Sequence, residues 1–236
     1  MTRMHDLRAI LFDKDGTLFD FQATWSTWAM MMIRQIGGSD ANSRSALAQA
    51  IGFDEVNGRF LPHSPVIAGT GREAAELIAP YLPPPGLPLE VIESRIAAAA
   101  AAVPLVEAVP LRPLLQSLAA AGYRLGVATN DHEAVARQHL GDLLEMFDFI
   151  AGFDSGYGAK PGPGMPLAFA RHCGLAPDEV LMVGDSRHDL DAGRAAGMRT
   201  LAVLTGVAES ADLAPYADAL RPDIGHLPAL LGLEPA

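Results

Sequence analysis

The sequence predicts an α/β fold, in which a Rossmann-like, doubly wound parallel sheet forms a core domain and an α-helical cap domain is inserted into it. Three observations support this prediction. Short apolar runs with β-branched or aromatic residues recur along the chain, bounded by Gly, Asp or Asn. Helical patterns lie between them, an alternation typical of a parallel sheet with helices on both faces. Over a hundred residues separate the first run from the second, far more than a crossover connection needs.

The predicted strands are the five apolar runs, at residues 9–12, 125–128, 147–151, 180–183 and 200–204. Helices of the core are expected over residues 113–121, 166–172 and 190–196. The first and third of these helices are each followed by a glycine, Gly122 and Gly197, which is a common helix C-cap.

The long insertion is predicted to be mostly helical, with Pro- and Gly-rich loops such as LPPPGLP between its helices. Helices are expected over residues 23–36, 43–51, 71–79 and 90–102. We therefore predict a discontinuous core domain of residues 1–20 and 104–236, and a cap domain of residues 21–103.

Composition excludes several classes of protein. The 236 residues carry a net charge of -11, which argues against binding to nucleic acid or to an anionic membrane. No apolar run reaches the length of a membrane span, and residues 1–13 do not resemble a secretory signal. The single cysteine, Cys173, is expected to be a small core residue. A cytoplasmic protein without a nucleic-acid or membrane partner is expected, either a monomer or a homodimer.

Two aspartates follow the first predicted strand, in the segment DKDGT at residues 13–17. Two carboxylates so close together repel each other unless a cation or a proton lies between them. An acidic turn is the plain alternative. An EF-hand calcium loop does not fit, because its glycine stands at the sixth position of the loop and here it stands at the fourth. The segment therefore indicates a site.

Polar residues also follow three later predicted strands. Thr129 and Asn130 follow the second, Lys160 follows the third, and the segment GDSRHD at residues 184–189 follows the fourth. Taken singly, each has a plain explanation as a helix cap, an exposed lysine or an acidic helix start. The chain has only two lysines against fifteen arginines, so a lysine at position 160 suggests a compact point charge. Because ligands bind where the carboxyl ends of parallel strands meet, we expect all four features to form one site.

In order and spacing, these features resemble the motifs of the haloacid dehalogenase (HAD) superfamily of aspartate-nucleophile phosphohydrolases. Residues 13–18 look like its first motif, Thr129 like its second, Lys160 like its third and residues 184–189 like its fourth. The insertion is similar to the helical cap of the first type in that superfamily. Within the superfamily, the chain most resembles phosphoglycolate phosphatase-like members.

The resemblance implies a Mg²⁺-dependent phosphatase that hydrolyses a small phosphorylated metabolite through an aspartyl-phosphate. Asp13 would be the nucleophile and a metal ligand. Asp15 would be the general acid and base, with its backbone carbonyl on the metal. Lys160 would neutralise Asp13 and the phosphoryl group during transfer.

The remaining motif residues would hold the phosphate and the metal. The resemblance implies that Thr129 and the backbone N–H of Asn130 bind phosphoryl oxygens. Asp185 would complete the Mg²⁺ ligands, and Asp189 would be a further ligand or would orient one. Gly16 would let the turn after the first strand close tightly.

Phosphoglycolate is the substrate that the resemblance suggests, and two other functions stay open. A sugar-phosphate mutase of the β-phosphoglucomutase kind would use the same intermediate, and a non-catalytic module would only bind phosphate. Dehalogenation is disfavoured, because the dehalogenases of the superfamily generally lack a second aspartate such as Asp15. Phe21 stands where many relatives look to have a small polar residue, which predicts a reshaped entrance near the cap.

The cap is expected to select the leaving group, because its closure excludes water from the site. Four polar residues before the third cap helix are candidates to face the site, with an exposed loop as the alternative: His63, Ser64, Thr70 and Arg72. On the first cap helix, Trp25, Trp28 and the methionines at 30–32 are expected in the cap core, with some of them at the boundary with the sheet.

Overall fold

A six-stranded parallel sheet forms the centre of the computed structural model, which describes residues 6–82 and 84–233. Its strands are β1 (Ala9–Phe12), β4 (Arg124–Ala128), β5 (Phe149–Ala151), β6 (Val180–Gly184), β7 (Arg199–Val203) and β8 (Ala219–Arg221). They lie in the order β5-β4-β1-β6-β7-β8, and every neighbouring pair is parallel. A short antiparallel pair, β2 (Phe53–Asp54) and β3 (Arg59–Phe60), lies apart from this sheet.

Helices connect these strands. Those between β1 and β4 are α1 (Phe21–Gly37), α2 (Ala41–Ala50), α3 (Gly71–Ile78), α4 (Leu89–Ala101) and α5 (Leu111–Ala120). Those that follow are α6 (Glu133–Leu140), α7 (Gly164–Cys173), α8 (Arg187–Ala196), α9 (Ser210–Leu213) and α10 (Leu227–Leu230). The predicted α/β class, with a Rossmann-like parallel core, is confirmed.

Alternating side chains of the central strands enter two separate hydrophobic clusters. Ile10 and Phe12 of β1 pack in the cluster under α5, α6 and α10, whereas Ala9 and Leu11 pack in the cluster under α7. This period of two is the pleat of a β-strand with both faces buried. The sheet is therefore covered on both sides, as a doubly wound fold requires.

Two details of the predicted strands were wrong. The third predicted strand, β5 of the structure, begins at Phe149 rather than at residue 147. The reason is that the N–H of Phe147 donates to the carbonyl of Leu144 and closes a 3₁₀ turn. The sixth strand, β8, was not predicted. It is only three residues long and contains Arg221, so its apolar signal is weak.

Several helices begin earlier than predicted, and the reasons are local. Pro113 and Pro166 are each the third residue of their helix, a first-turn position where proline costs no hydrogen bond. The third predicted core helix, α8, begins at Arg187, because Ser186 caps it by accepting from the N–H of Asp189. Helix α1 likewise begins at Phe21, behind the capping side chain of Asp20.

The inserted helices pack around a hydrophobic cluster of their own. Trp25 and Ile33 of α1 meet Leu47 of α2, Ile78 of α3 and Ala100 of α4 in this cluster. The division into a core domain and a cap domain at residues 21–103 remains a prediction. Across residues 6–82 and 84–233, no helix combines the length and the apolar character needed to cross a bilayer.

Strand β4 contains a glycine for a packing reason, and this generates a prediction. A Cβ on Gly126 would lie 2.6 Å from the ring of Phe169 on α7 and 3.1 Å from Leu11. We expect Gly126→Ala to lower the free energy of unfolding by about 1–3 kcal/mol through overpacking. Urea denaturation measures this change.

Gly71→Ala is the matched control for that substitution. A Cβ there would meet nothing closer than 3.8 Å, so we expect no destabilisation. Equal loss of stability in both variants would show that the glycine backbone, and not the contact with Phe169, matters at position 126.

Candidate active site

The carboxyl ends of the central strands bring the predicted site residues together. Asp13 follows β1, Thr129 follows β4, Lys160 follows β5 and Asp185 follows β6, while Asp189 lies in the first turn of α8. All of them line one cavity of about 130 Å³, together with Asn130 and Asp15. The neighbouring order β5-β4-β1-β6 places these strand ends side by side, which is the usual ligand position in such sheets.

Lys160 is the buried cation at the centre of the site. Its Nζ lies 2.5 Å from Asp13 Oδ1 and 2.6 Å from Asp189 Oδ1, and it also donates to the carbonyl oxygen of Ala128 at 2.9 Å. Its three donors therefore have three partners. Burial opposes its charge, but Asp13 and Asp189 outweigh burial and raise the pKa of Lys160.

The carboxylates around Lys160 are crowded. Burial raises the pKa of Asp13 to about 7, with Asp189 and Asp15 adding to the rise and Lys160 opposing it. Burial also raises the pKa of Asp185 well above its usual range, again helped by Asp189 and Asp13. A bound cation would favour the charged form of both groups.

Three of these carboxylates have the arrangement of a metal site. Oxygen atoms of Asp13, Asp185 and Asp189 all lie within 4.8 Å of one another, and all three residues are buried. Carboxylate oxygens are the ligands that Mg²⁺ prefers. The carboxylate of Asp15 lies outside this group, so that any contact of Asp15 with a metal would be made by its backbone carbonyl.

Two glycines make room for Asp185. Gly16 has a φ of +83° in the turn after β1, and a Cβ there would lie 2.3 Å from Asp185 Oδ2. The predicted tight turn is present, since the N–H of Gly16 donates to the carbonyl of Phe19 at 2.7 Å. Gly206, in the loop after β7, comes closer still, because its Cβ would lie 1.7 Å from Asp185 Oδ2. Sequence reasoning identified Gly16 but missed Gly206, which belongs to no motif.

The two side chains of the second motif, Thr129 and Asn130, make different hydrogen bonds. Thr129 Oγ1 accepts the N–H of Asp131 at 3.1 Å, which leaves its own hydroxyl proton for another acceptor. The Asn130 side chain pairs with the backbone of Lys160, accepting its N–H at 2.8 Å and donating to its carbonyl at 2.9 Å. Asn130 therefore also positions Lys160, a role that the sequence did not suggest.

Lys14, the second lysine of the chain, is also buried in the site. Its Nζ lies 2.6 Å from Asp15 Oδ2 and 3.3 Å from Asp131 Oδ2. Burial opposes its charge, but Asp15 and Asp131 outweigh burial and raise the pKa of Lys14. Sequence reasoning missed both Lys14 and Asp131. The scarcity of lysine could have indicated Lys14, because the chain has only two lysines and both are buried at this site.

A histidine and a tryptophan complete the surroundings of Lys14 and Asp15. His139 Nδ1 lies 3.0 Å from Lys14 Nζ and must accept, because an ammonium group only donates. The other ring nitrogen, Nε2, then donates to the carbonyl of Ala100 on α4 at 2.9 Å. Burial and the Lys14 charge lower the pKa of His139. Trp25 Nε1 donates to Asp15 Oδ1 at 3.1 Å, so that an inserted helix holds the carboxylate of Asp15.

Comparison with known proteins identifies the family. A profile of the haloacid dehalogenase-like hydrolases matches residues 7–197. A phosphoglycolate phosphatase of Nitrosospira multiformis is 30% identical over 211 residues, which cover 88% of this chain and 87% of that one. The chain belongs to the haloacid dehalogenase-like hydrolase family. The predicted family and enzyme class are thereby confirmed.

Solved structures of HAD proteins share the fold. CbbY from Rhodobacter sphaeroides, solved with phosphate, superposes with a TM-score of 0.66 at 23% identity, over 96% of this chain and 100% of that chain. A HAD-family hydrolase from Deinococcus radiodurans R1, solved with phosphate and sodium, gives 0.66 at 22% identity, over 98% and 100%. At these identities the likeness shows the fold alone.

Of the four polar cap residues considered as candidates to face the site, three do not line the cavity. His63 is exposed, and Ser64 is buried with its hydroxyl donating to the carbonyl of Ile51. Arg72 does not line the cavity, because glutamates at positions 76, 90 and 93 hold its guanidinium at 3.3, 3.2 and 3.7 Å. Thr70 does line the cavity. Trp25 and Trp28, expected mainly in the cap core, line it as well.

The close approach of Gly206 to Asp185 generates a prediction. In Gly206→Ala the added Cβ displaces the Asp185 carboxylate, and we expect Mg²⁺ affinity to fall about 10–100-fold, as for other losses of ligand positioning. Calorimetric titration with Mg²⁺ measures this directly, without turnover. Gly71→Ala serves as the control glycine, and unchanged Mg²⁺ affinity in Gly206→Ala would mean that Asp185 does not bind the metal.

Proposed function

We propose that this protein is a Mg²⁺-dependent phosphatase that hydrolyses a small phosphorylated metabolite through an aspartyl-phosphate on Asp13. The family and its relatives support the class of phosphoric monoester hydrolase. The observation that carries the proposal is the position of Asp13. Its carboxylate contacts Lys160 at 2.5 Å and lies beside Asp185 and Asp189 in the wall of the cavity.

The acidic residues fit a magnesium ion. Asp13, Asp185 and Asp189 supply three buried carboxylates against the single ammonium of Lys160, so that an added divalent cation would balance their charge. The backbone carbonyl of Asp15 is proposed as a further ligand. When bound, Mg²⁺ would stabilise the charge on the phosphoryl oxygens during transfer.

The first half of the reaction forms a bond from Asp13 to phosphorus and breaks the bond from phosphorus to the leaving oxygen. This step requires Asp15 to carry a proton when the substrate binds; Asp15 gives this proton to the leaving oxygen, and the product departs as a neutral alcohol. Lys160 stabilises the transferring phosphoryl group. The Thr129 hydroxyl, which still has its own hydrogen to donate, forms a hydrogen bond to one of the phosphoryl oxygens. The backbone N–H of Asn130 is proposed to hold another.

The second half releases the phosphate. Asp15, now a carboxylate, takes a proton from a water molecule, and the resulting hydroxide attacks the phosphorus of the aspartyl-phosphate. The Asp13–phosphorus bond breaks, so that inorganic phosphate leaves and both carboxyl groups return to their first state. The contacts of Asp15 with Lys14 and Trp25 hold it in one place for both steps. Because a relative is a phosphoglycolate phosphatase, 2-phosphoglycolate is the reference ester for this chain.

The nucleophile is tested with Asp13→Asn. An amide cannot form the phospho-enzyme, and we expect Mg²⁺-dependent hydrolysis of p-nitrophenyl phosphate to fall by about 10³-fold or more. The assay is run with Mg²⁺ and with a chelator, beside far-ultraviolet circular dichroism to verify folding. Full activity in a folded Asp13→Asn protein would refute the assignment.

The general acid is tested with Asp15→Asn and two leaving groups. An alkoxide needs a proton in order to leave, whereas p-nitrophenolate does not. Because Asp15 also serves in the second half of the reaction, the comparison uses kcat/KM, which reports only the steps up to release of the leaving group. We therefore expect kcat/KM for an alkyl phosphate to fall about 10²–10⁴-fold and kcat/KM for p-nitrophenyl phosphate to fall much less. An equal loss with both esters would assign Asp15 to binding or folding and not to proton transfer.

A further inference from the structure

The cavity above Asp13 has two ends of different chemistry. The phosphate end is lined by the strand-end residues Asp13, Thr129, Lys160, Asp185 and Asp189. The other end, here named the apolar end, is lined by residues of the insertion, which include Phe21, Trp25, Trp28, Phe60, Val66 and Ile67. Asp15 joins the two ends, because it follows Asp13 closely in the chain and accepts the indole N–H of Trp25.

Aromatic rings dominate the apolar end. Trp25 and Trp28 meet edge to face, with ring centroids 5.7 Å apart and planes at 87°. Phe21 and Phe60 do the same at 5.4 Å and 73°. Such walls offer both faces and edges to a flat aromatic ligand, which is the arrangement that aromatic rings prefer.

The cations near the cavity are already paired with carboxylates of the chain. Lys160 contacts Asp13 and Asp189, and Lys14 is fully buried against Asp15 and Asp131. Within residues 6–82 and 84–233, no arginine lines this cavity. An anionic leaving group in the apolar end would therefore have no free lysine or arginine side chain to pair with.

Two polar groups at the rim of the apolar end are likewise engaged by other groups of the chain. The N-terminus of α3 lies there, but Glu73 of its capping box already accepts the N–H of Thr70 at 2.7 Å. That carboxylate opposes a second anion at the same helix end. His188 also lines the cavity, and its Nδ1 donates to the carbonyl of Ala68 at 3.0 Å, so that this nitrogen is already engaged by the chain.

We propose that the leaving group of the natural substrate is an uncharged aromatic alcohol, so that the enzyme prefers arylalkyl monophosphates to phosphorylated hydroxy acids. The inference rests on the proposed phosphatase function and specifies its substrate class. A carboxylate beside the ester would be buried among apolar side chains without a cation, which is strongly unfavourable. Binding of an aromatic group there would be favourable, because it removes apolar surface from water.

Three esters with alkyl-type leaving oxygens test the proposal: benzyl phosphate, 4-carboxybenzyl phosphate and 2-phosphoglycolate. The first two differ by one carboxylate and have the same shape near the ester. We expect kcat/KM for benzyl phosphate to exceed that for each anionic ester by about tenfold or more. An equal or higher kcat/KM for either anionic ester would overturn the proposal.

A variant of the apolar end links this preference to the structure. In Trp28→Ala we expect the ratio of kcat/KM for benzyl phosphate over methyl phosphate to fall about tenfold, because methyl phosphate does not reach the aromatic wall. Met31→Ala is the matched control, since Met31 lies on the same helix but is 59% exposed and does not line the cavity. A ratio that falls equally in both variants, or in neither, would contradict the assigned surface.

Binding measurements separate this proposal from the proposed function. Benzylphosphonate and 4-carboxybenzylphosphonate cannot lose an alcohol, and calorimetry with wild-type protein and Mg²⁺ compares their affinities. Tighter binding of benzylphosphonate supports the apolar end even if no ester is hydrolysed, in which case only the phosphatase function fails. Turnover of esters with equal binding of both phosphonates would retain the phosphatase and reject the substrate class.

Discussion

The ion pairs of Lys160 with Asp13 and Asp189 are the interaction on which the site depends. Three carboxylates from two separate parts of the chain, Asp13 and the pair Asp185 and Asp189, are buried at the carboxyl ends of the strands. Without a fixed cation their repulsion would oppose folding. Lys160 reaches its two partners among these carboxylates because the Asn130 side chain accepts the backbone N–H of Lys160 and donates to its carbonyl, which fixes the backbone there. The second motif therefore supports the third, in addition to its proposed contact with phosphate. A lysine is suited to this position, since its compact ammonium group makes three separate contacts.

The two lysines divide the acidic residues of the site into two groups. Lys160 is paired with Asp13 and Asp189, whereas Lys14 is paired with Asp15 and Asp131. The consequence is that the aspartates of the first motif, two residues apart, do not share one environment. The side chain of Asp13 joins the carboxylate cluster that fits a metal, and the side chain of Asp15 turns toward Trp25 of the insertion. Such a separation is what two carboxylates with different roles in one reaction require.

Sequence reasoning predicted the fold and the strand-end residues but not their supporting contacts. Asp13, Thr129, Lys160 and Asp185 each follow an apolar run, and the parallel sheet alone brings such positions together. Gly206 was missed for the opposite reason, since its role is set by a loop that folds over Asp185 and leaves no periodic pattern. Lys14, Asp131 and His139 were missed because their pairing joins residues over a hundred positions apart; Lys14 and His139, for example, are 125 positions apart.

The cap candidate Arg72 does not reach the cavity for an energetic reason. An arginine at the start of a helix is a candidate to bind an anionic ligand, but Glu76 of the same helix and two glutamates of α4 already pair with its guanidinium. The tryptophans of α1 looked like core residues because apolar side chains at helical spacing usually are. They serve both purposes, since Trp25 belongs to the hydrophobic cluster of the insertion and also lines the cavity.

The insertion contacts the site through a few hydrogen bonds whose partners are themselves site residues. The carbonyl of Ala68 accepts from both Asn130 and His188, and the indole of Trp25 donates to Asp15. Opening the insertion would break these bonds, and Asn130 and Asp15 would each lose a partner that fixes its side chain. If the insertion closes over a ligand, closure and ordering of the site would therefore be one event. The apolar end would form at the same moment, because its aromatic walls lie on segments of the insertion.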